Sequence, residues 1–120
     1  MEQFVLMIYQ GTTPLPGTPE WAAMPQEEQT RVYADYAAFN QTPGLTGGPP
    51  LGLPADAHTV VVKDGTTDVR DGAHLGTDGA VGGFAVLEAE DLAAAIEVAS
   101  RIPAARLGGA IEVRPVAKYW

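Results

Sequence analysis

Cysteine is absent from this chain. That excludes disulfides, a thiolate nucleophile and any zinc site built on Cys. It suits a reducing compartment, and a cytoplasmic location is expected. Positive charge is scarce. Seven Lys and Arg stand against fifteen Asp and Glu, for a net charge of −8. Nucleic-acid binding needs a basic footprint, so nucleic acid is not an expected partner. Before residue 45 the only basic side chain is Arg31. There are two histidines, His58 and His74. No His-x-His or Glu-x-x-His pattern occurs, and no metal site is expected. No apolar run approaches the roughly 18 residues of a membrane span. The opening Met-Glu-Gln-Phe-Val-Leu-Met-Ile-Tyr is too short for a signal h-region, so no membrane association is expected. The glycine pairs at 47–48, 82–83 and 108–109 lack the Gly-x-x-x-x-Gly-Lys spacing of a phosphate loop. Nucleotide binding is excluded, and no cofactor is expected.

What remains is a chain of 120 residues, 46% apolar, which suits a single domain over residues 1–120 with one real core. Phe4–Tyr9 is an unbroken apolar run of strand formers and reads as a central strand buried on both faces. Gln10–Pro19 is rich in Pro, Gly and Thr and reads as a loop. From Pro25 to about Gln41 the pattern is helical. Val32, Tyr36 and Phe39 recur at i, i+4, i+7, and Glu27 and Glu28 lie in the first turn. Leu45–Asp56 is a short strand or irregular edge and then a loop, because Pro49-Pro50 cannot sit in a central strand. His58–Lys63 and Thr66–Arg70 are strands around Asp64-Gly65, a strong hairpin signal. Gly83–Glu88 is another buried strand. Asp91 is an N-cap for a helix from Leu92 to about Arg101, with Leu92, Ala95, Ile96, Ala99 and Ile102 as its apolar stripe. Ala110–Val116 is the last strand, and Lys118-Tyr119-Trp120 is a short tail.

This order gives an α+β fold, a ferredoxin-like βαββαβ sheet with two helices on one face. The first strand nevertheless reads as apolar on both faces. A second copy of the same sheet is the simplest cover for the bare face, so a homodimer is expected.

The stretch from Asp71 to Gly83 holds five of the fourteen glycines, His74, and the carboxylates of Asp71 and Asp78. A glycine-dense loop with titratable groups between rigid elements is a place for chemistry. Asp71 and His74 are three apart, and a carboxylate can orient an imidazole as a general acid or base. Asp71 also suits a turn before Gly72, and His74 an exposed loop position. Arg114 shares a strand face with Glu112. It suits either an ion pair or the anchoring of an enolate-like ligand. Trp21, Tyr33, Tyr36 and Phe84 suit the lining of an apolar cleft, or equally the core. His58 opens a strand, at an edge or on the surface.

Several features in order resemble one family: Tyr36-Ala37-Ala38-Phe39, Gly44-Leu45-Thr46-Gly47-Gly48-Pro49-Pro50-Leu51, the Asp64-Gly65 hairpin, Gly82-Gly83-Phe84-Ala85-Val86-Leu87-Glu88-Ala89 and Ile111-Glu112-Val113-Arg114-Pro115-Val116. They are similar to the YCII-related proteins, in their DGPF-domain branch. The resemblance implies pairing as a dimeric α+β barrel, a frame shared by several enzyme families, so it does not by itself select a reaction. The chain departs from the branch at its signature, where Asp71-Gly72 is followed by Ala73-His74 instead of Pro-Phe. The first helix has no His, so the family's His–Asp pair does not transfer.

The expected function is a cofactor-independent enzyme of secondary metabolism. It would carry out isomerase, cyclase or lyase-type proton transfer on a hydrophobic, polyketide-like small molecule. His74 would be the acid/base, Asp71 its orienter, and Arg114 or a tyrosine the oxyanion partner. Trp21, Tyr33, Tyr36, His58 and Phe84 would bind the substrate. The alternative is a non-catalytic ligand-binding or accessory protein, linked to sigma-factor regulation and acting through protein contacts.

Overall fold

A computed structural model describes residues 1–119. Of the expected tail, Trp120 lies outside the described residues. Six strands and three helices follow in the order β1 (Glu2–Tyr9), α1 (Pro19–Ala22), α2 (Gln26–Asn40), β2 (Leu45–Gly47), β3 (His58–Lys63), β4 (Thr66–Asp71), β5 (Val81–Ala89), α3 (Leu92–Ser100) and β6 (Ala110–Pro115). The main sheet has the order β2-β5-β1-β6, antiparallel throughout. With β3 and β4 set aside, this is the ferredoxin-like βαββαβ arrangement. The long apolar run of β1 takes a central place, as its composition requires.

The core lies between the helices and one face of the sheet. Phe4 and Leu6 of β1 and Ala85, Leu87 and Ala89 of β5 meet Phe39 of α2 and Ala95, Val98 and Ala99 of α3, with Ile102 and Ala104 closing one end. On α2 the expected Val32–Tyr36–Phe39 spacing does turn inward, with Val32 and Phe39 buried. On α3 the stripe is shifted. Ala95, Val98 and Ala99 are buried, whereas Leu92 and Ile96 are 50% and 51% exposed. Small Ala side chains let the helix approach the sheet closely, so the larger residues are turned outward. The Asp91 cap is made as expected, with the Ala94 amide donating to Oδ1 at 2.8 Å.

The opposite face of the sheet is bare. By strand alternation it carries Val5 and Met7 of β1, Phe84 and Val86 of β5, and Glu112 and Arg114 of β6. Val5 lies opposite Val86 and Met7 opposite Phe84.

The β3–β4 hairpin does not join the main sheet. It turns at Asp64-Gly65, both at positive φ (50° and 76°), the conformation of a two-residue primed turn. Val60, Val61, Val62 and Val69 are all exposed, the least of them, Val61, at 43%. The protein is correspondingly flat, 45 × 45 × 19 Å, with a radius of gyration of 16.1 Å. A compact chain of this length would have about 13.6 Å. Among the described residues no helix is long and apolar enough to cross a membrane.

Candidate functional site

The residues singled out by sequence fall in three places. The first is the base of the hairpin. His58 and Asp71 face each other across β3 and β4, with Nδ1 3.3 Å from Oδ1. Asp71 therefore pairs with His58, and the expected Asp71–His74 contact is replaced. The ring of His74 meets Arg70 instead, its Nδ1 2.8 Å from Nη2. A guanidinium only donates, so this nitrogen accepts. The cause is strand alternation. It puts Asp71 on the face shared with its cross-strand partner His58, while His74 lies beyond the turn at Gly72. All four side chains are exposed.

The second place is the bare sheet face, where Arg114 lies 3.9 Å from Glu112 at exposed positions. The third is a cleft of about 560 Å³ at the β2 edge, and it collects Tyr33, Tyr36 and Phe84. Trp21 does not line it. Trp21 is buried behind Tyr33, edge-on at 5.4 Å between ring centroids. Gln29 Nε2 fixes it there by donating to the Trp21 and Met24 carbonyls at 2.8 and 3.1 Å.

The cleft is a consequence of how short β2 is. Only three residues pair regularly with β5 before the Gly48-Pro49-Pro50 segment loosens the edge. The chain stays attached through two bonds to β5, from the Gly48 amide to the Phe84 carbonyl (2.9 Å) and from the Leu51 amide to the Gly82 carbonyl (3.2 Å). Helix α2 supplies Tyr33, Tyr36, Phe39 and Asn40 as one wall. Phe84 comes round the sheet edge from the other face and lies against Gly48. A Cβ on that glycine would sit 2.9 Å from its ring. The volume is that of ordinary small-molecule sites, and no charged side chain lines it. Tyr36 is partly buried here, and burial raises its phenol above the ordinary 10.0, so it is a neutral hydrogen-bond donor across the physiological range.

One end of the cleft is polar. The β1–β5 register shifts between Ile8 and Tyr9, leaving Gly82 as an unpaired bulge residue. The Gln10 side chain folds over it, and a Cβ at residue 82 would lie only 2.7 Å from Oε1. Gln10 is 5% exposed, and its side-chain amide, which makes no hydrogen bond among the described residues, keeps its polar atoms accessible at the cavity wall. Thr13 lines the same two cavities, and its Oγ1 is buried and without a partner among the described residues. An unsatisfied buried polar group costs about 1–3 kcal/mol, so the Thr13 hydroxyl is a marked feature. Beyond them lies a second cavity of about 400 Å³, which shares Gln10, Thr13, Leu15 and Leu53 with the cleft. Glu20 and Asp78 line this vestibule. The loop around His74 reaches it through Thr77 and Asp78, while His74 itself is held at the hairpin base.

Gln10, Thr13 and Asn40 were not among the expected site residues. Gln10 had one visible signal, a lone polar residue directly after a six-residue apolar run. Among the described residues no group of three His, Cys, Asp or Glu side chains comes together to hold a metal.

The family model of the YCII-related domain matches residues 3–119 of the chain. No curated protein matches it.

Proposed function

The chain belongs to the YCII-related family, and from that premise we propose that it binds a hydrophobic, aromatic small molecule in the cleft between α2 and the β2 edge. The observation that carries this reading is the combination of an apolar, uncharged lining with the neutral phenol of Tyr36. Aromatic walls from Tyr33 and Phe84 favour a planar ligand. Tyr36 would donate to a carbonyl or enol oxygen.

The working unit of the proposal is a homodimer. A second copy would cover Val5, Met7, Phe84 and Val86 on the bare sheet face, in the manner of a dimeric α+β barrel. The exposed valines of the hairpin favour the same assembly, since apolar side chains on both faces of a projecting hairpin ask for a partner surface.

A second reading, proton-transfer catalysis of the isomerase, cyclase or lyase type, draws on the carboxylates of Glu20 and Asp78 in the vestibule. A base there and a neutral phenol in the cleft would form an acid–base pair across a bound ligand. The roles expected of His74, Asp71 and Arg114 would then require those side chains to act from outside the cleft.

Binding of 2-naphthol, followed by amide and aromatic chemical shifts, tests the first reading. Shifts at Tyr36 and Phe84, lost in Leu51→Trp, which fills the cleft mouth, are expected. Shifts confined to the hairpin base, or unchanged in Leu51→Trp, would overturn it.

A further inference from the structure

We infer that Gln10 and Thr13 form a recognition site for the neutral carbonyl, carboxamide or hydroxy-ketone group of the cleft's ligand, and that carboxylates and phosphates are excluded. This rests on the reading that the cleft holds an aromatic ligand. It adds the chemical class of the ligand's polar end.

Three observations converge. First, Gln10 and Thr13 each line both cavities, and neither side chain has a hydrogen-bond partner among the described residues. The Gln10 amide both donates and accepts, as does the Thr13 hydroxyl. Their complement is a group that also carries an acceptor, alone or with an adjacent donor. Secondly, the backbone is arranged to admit the amide. The bulge at Gly82 presents a residue without a side chain where a Cβ would meet Oε1 at 2.7 Å. Turn geometry fixes the backbone of the pair, with the Thr13 backbone N–H donating to the Gln10 backbone carbonyl at 2.8 Å and the Gln10 backbone N–H to the Ala80 carbonyl at 3.1 Å.

Thirdly, the electrostatics reject an anion. Neither cavity has a Lys, Arg or His in its lining, and Glu20 and Asp78 face the vestibule beyond the pair. A carboxylate placed there would be desolvated without a cation and repelled by those acids. A neutral carbonyl needs only the donors that Gln10 and Thr13 provide.

Three probes that share a bicyclic ring test this: 2-naphthamide, 2-naphthoate and naphthalene. Affinities would be measured by chemical-shift titration, and thermal unfolding midpoints recorded in parallel. The wild-type chain is expected to prefer the amide over the carboxylate by about tenfold or more. Gln10→Met and Thr13→Val should lose that preference yet still bind naphthalene. Their unfolding midpoints should stay level or rise, because neither removes a side-chain hydrogen bond made among the described residues and Thr13→Val removes a buried hydroxyl that lacks one. Thr13→Ser should retain the preference. Equal binding of all three probes by the wild-type chain overturns the head-group site and leaves the apolar cleft standing. Failure of all three to bind overturns the cleft itself and this site with it. A lowered midpoint with the preference intact shows a structural role for the pair and also overturns the inference.

Discussion

The Asp71 carboxylate lies 3.3 Å from Nδ1 of His58, across the hairpin, while the ring of His74 lies 2.8 Å from the guanidinium of Arg70. The three titratable groups here that sequence reasoning links to the site, His58, Asp71 and His74, are thus divided between two exposed contacts, with Arg70 as the fourth partner. Exposed pairs of this kind contribute little, commonly 0.2–1 kcal/mol or about that. Asp71→Ala is expected to change unfolding stability by less than about 1 kcal/mol. His74→Ala should leave 2-naphthol affinity unchanged. Urea denaturation and the chemical-shift titration check the two outcomes. A tenfold or greater loss of affinity, about 1.4 kcal/mol, in His74→Ala would return that histidine to the site.

The phenol of Tyr36 gives a pH signature. Burial disfavours its phenolate, so its pKa is raised in the folded chain relative to the unfolded one. The folded state holds this proton more tightly. The contribution is therefore complete below about pH 10 and is lost as pH rises from there through the higher folded value. Urea midpoints measured from about pH 9 to about pH 11 should fall more steeply for the wild-type chain than for Tyr36→Phe. Parallel curves would remove burial as the cause.

The bare face of the sheet predicts an assembly. Val86 lies on that face and does not line the cleft. Light scattering at micromolar concentration should give twice the 12.6 kDa chain mass for the wild-type protein. It should give a single chain for Val86→Glu, since a carboxylate buried at an apolar contact is left unpaired. A wild-type monomer under those conditions would dispose of the dimer.

Arg106 clamps α2 to the turn that follows α3. Its guanidinium donates to Glu28 and lies 3.3 Å from Asp35, and the Glu28 hydrogen bond first, then Asp35, raises its pKa. All three side chains are about one-third exposed. Arg106→Ala is expected to lower stability by about 1 kcal/mol, and high salt should remove part of the difference. An effect of several kcal/mol would mean that the turn carries more of the helix packing than this contact suggests.

Local signals in the chain account for most of its elements. Asp64-Gly65 marks a primed turn because both residues tolerate positive φ, and both adopt it. Asp91 marks a helix start because its carboxylate can take the Ala94 amide. The apolar run of β1 marks a central strand. The helical face of α3 was less legible. Periodicity places Leu92 and Ile96 on the same stripe as Ala95 and Ala99, and only the closeness of helix to sheet decides that the alanines go in.

The candidate site was legible only in part. The sequence by itself determined the ferredoxin-like order of elements, the two-faced character of β1 and the aromatic side chains at helical spacing that line the cleft, because these follow from propensity, periodicity and turn chemistry. Only the tertiary structure decided that β3 and β4 leave the main sheet, that His58 takes Asp71 from His74, and that Gln10 and Thr13 line one end of the cleft without side-chain hydrogen bonds among the described residues. Each of those depends on which strand pairs with which, and on one bulge at Gly82. A shift of one residue in register changes every neighbour a side chain has, and no local pattern in the chain encodes it.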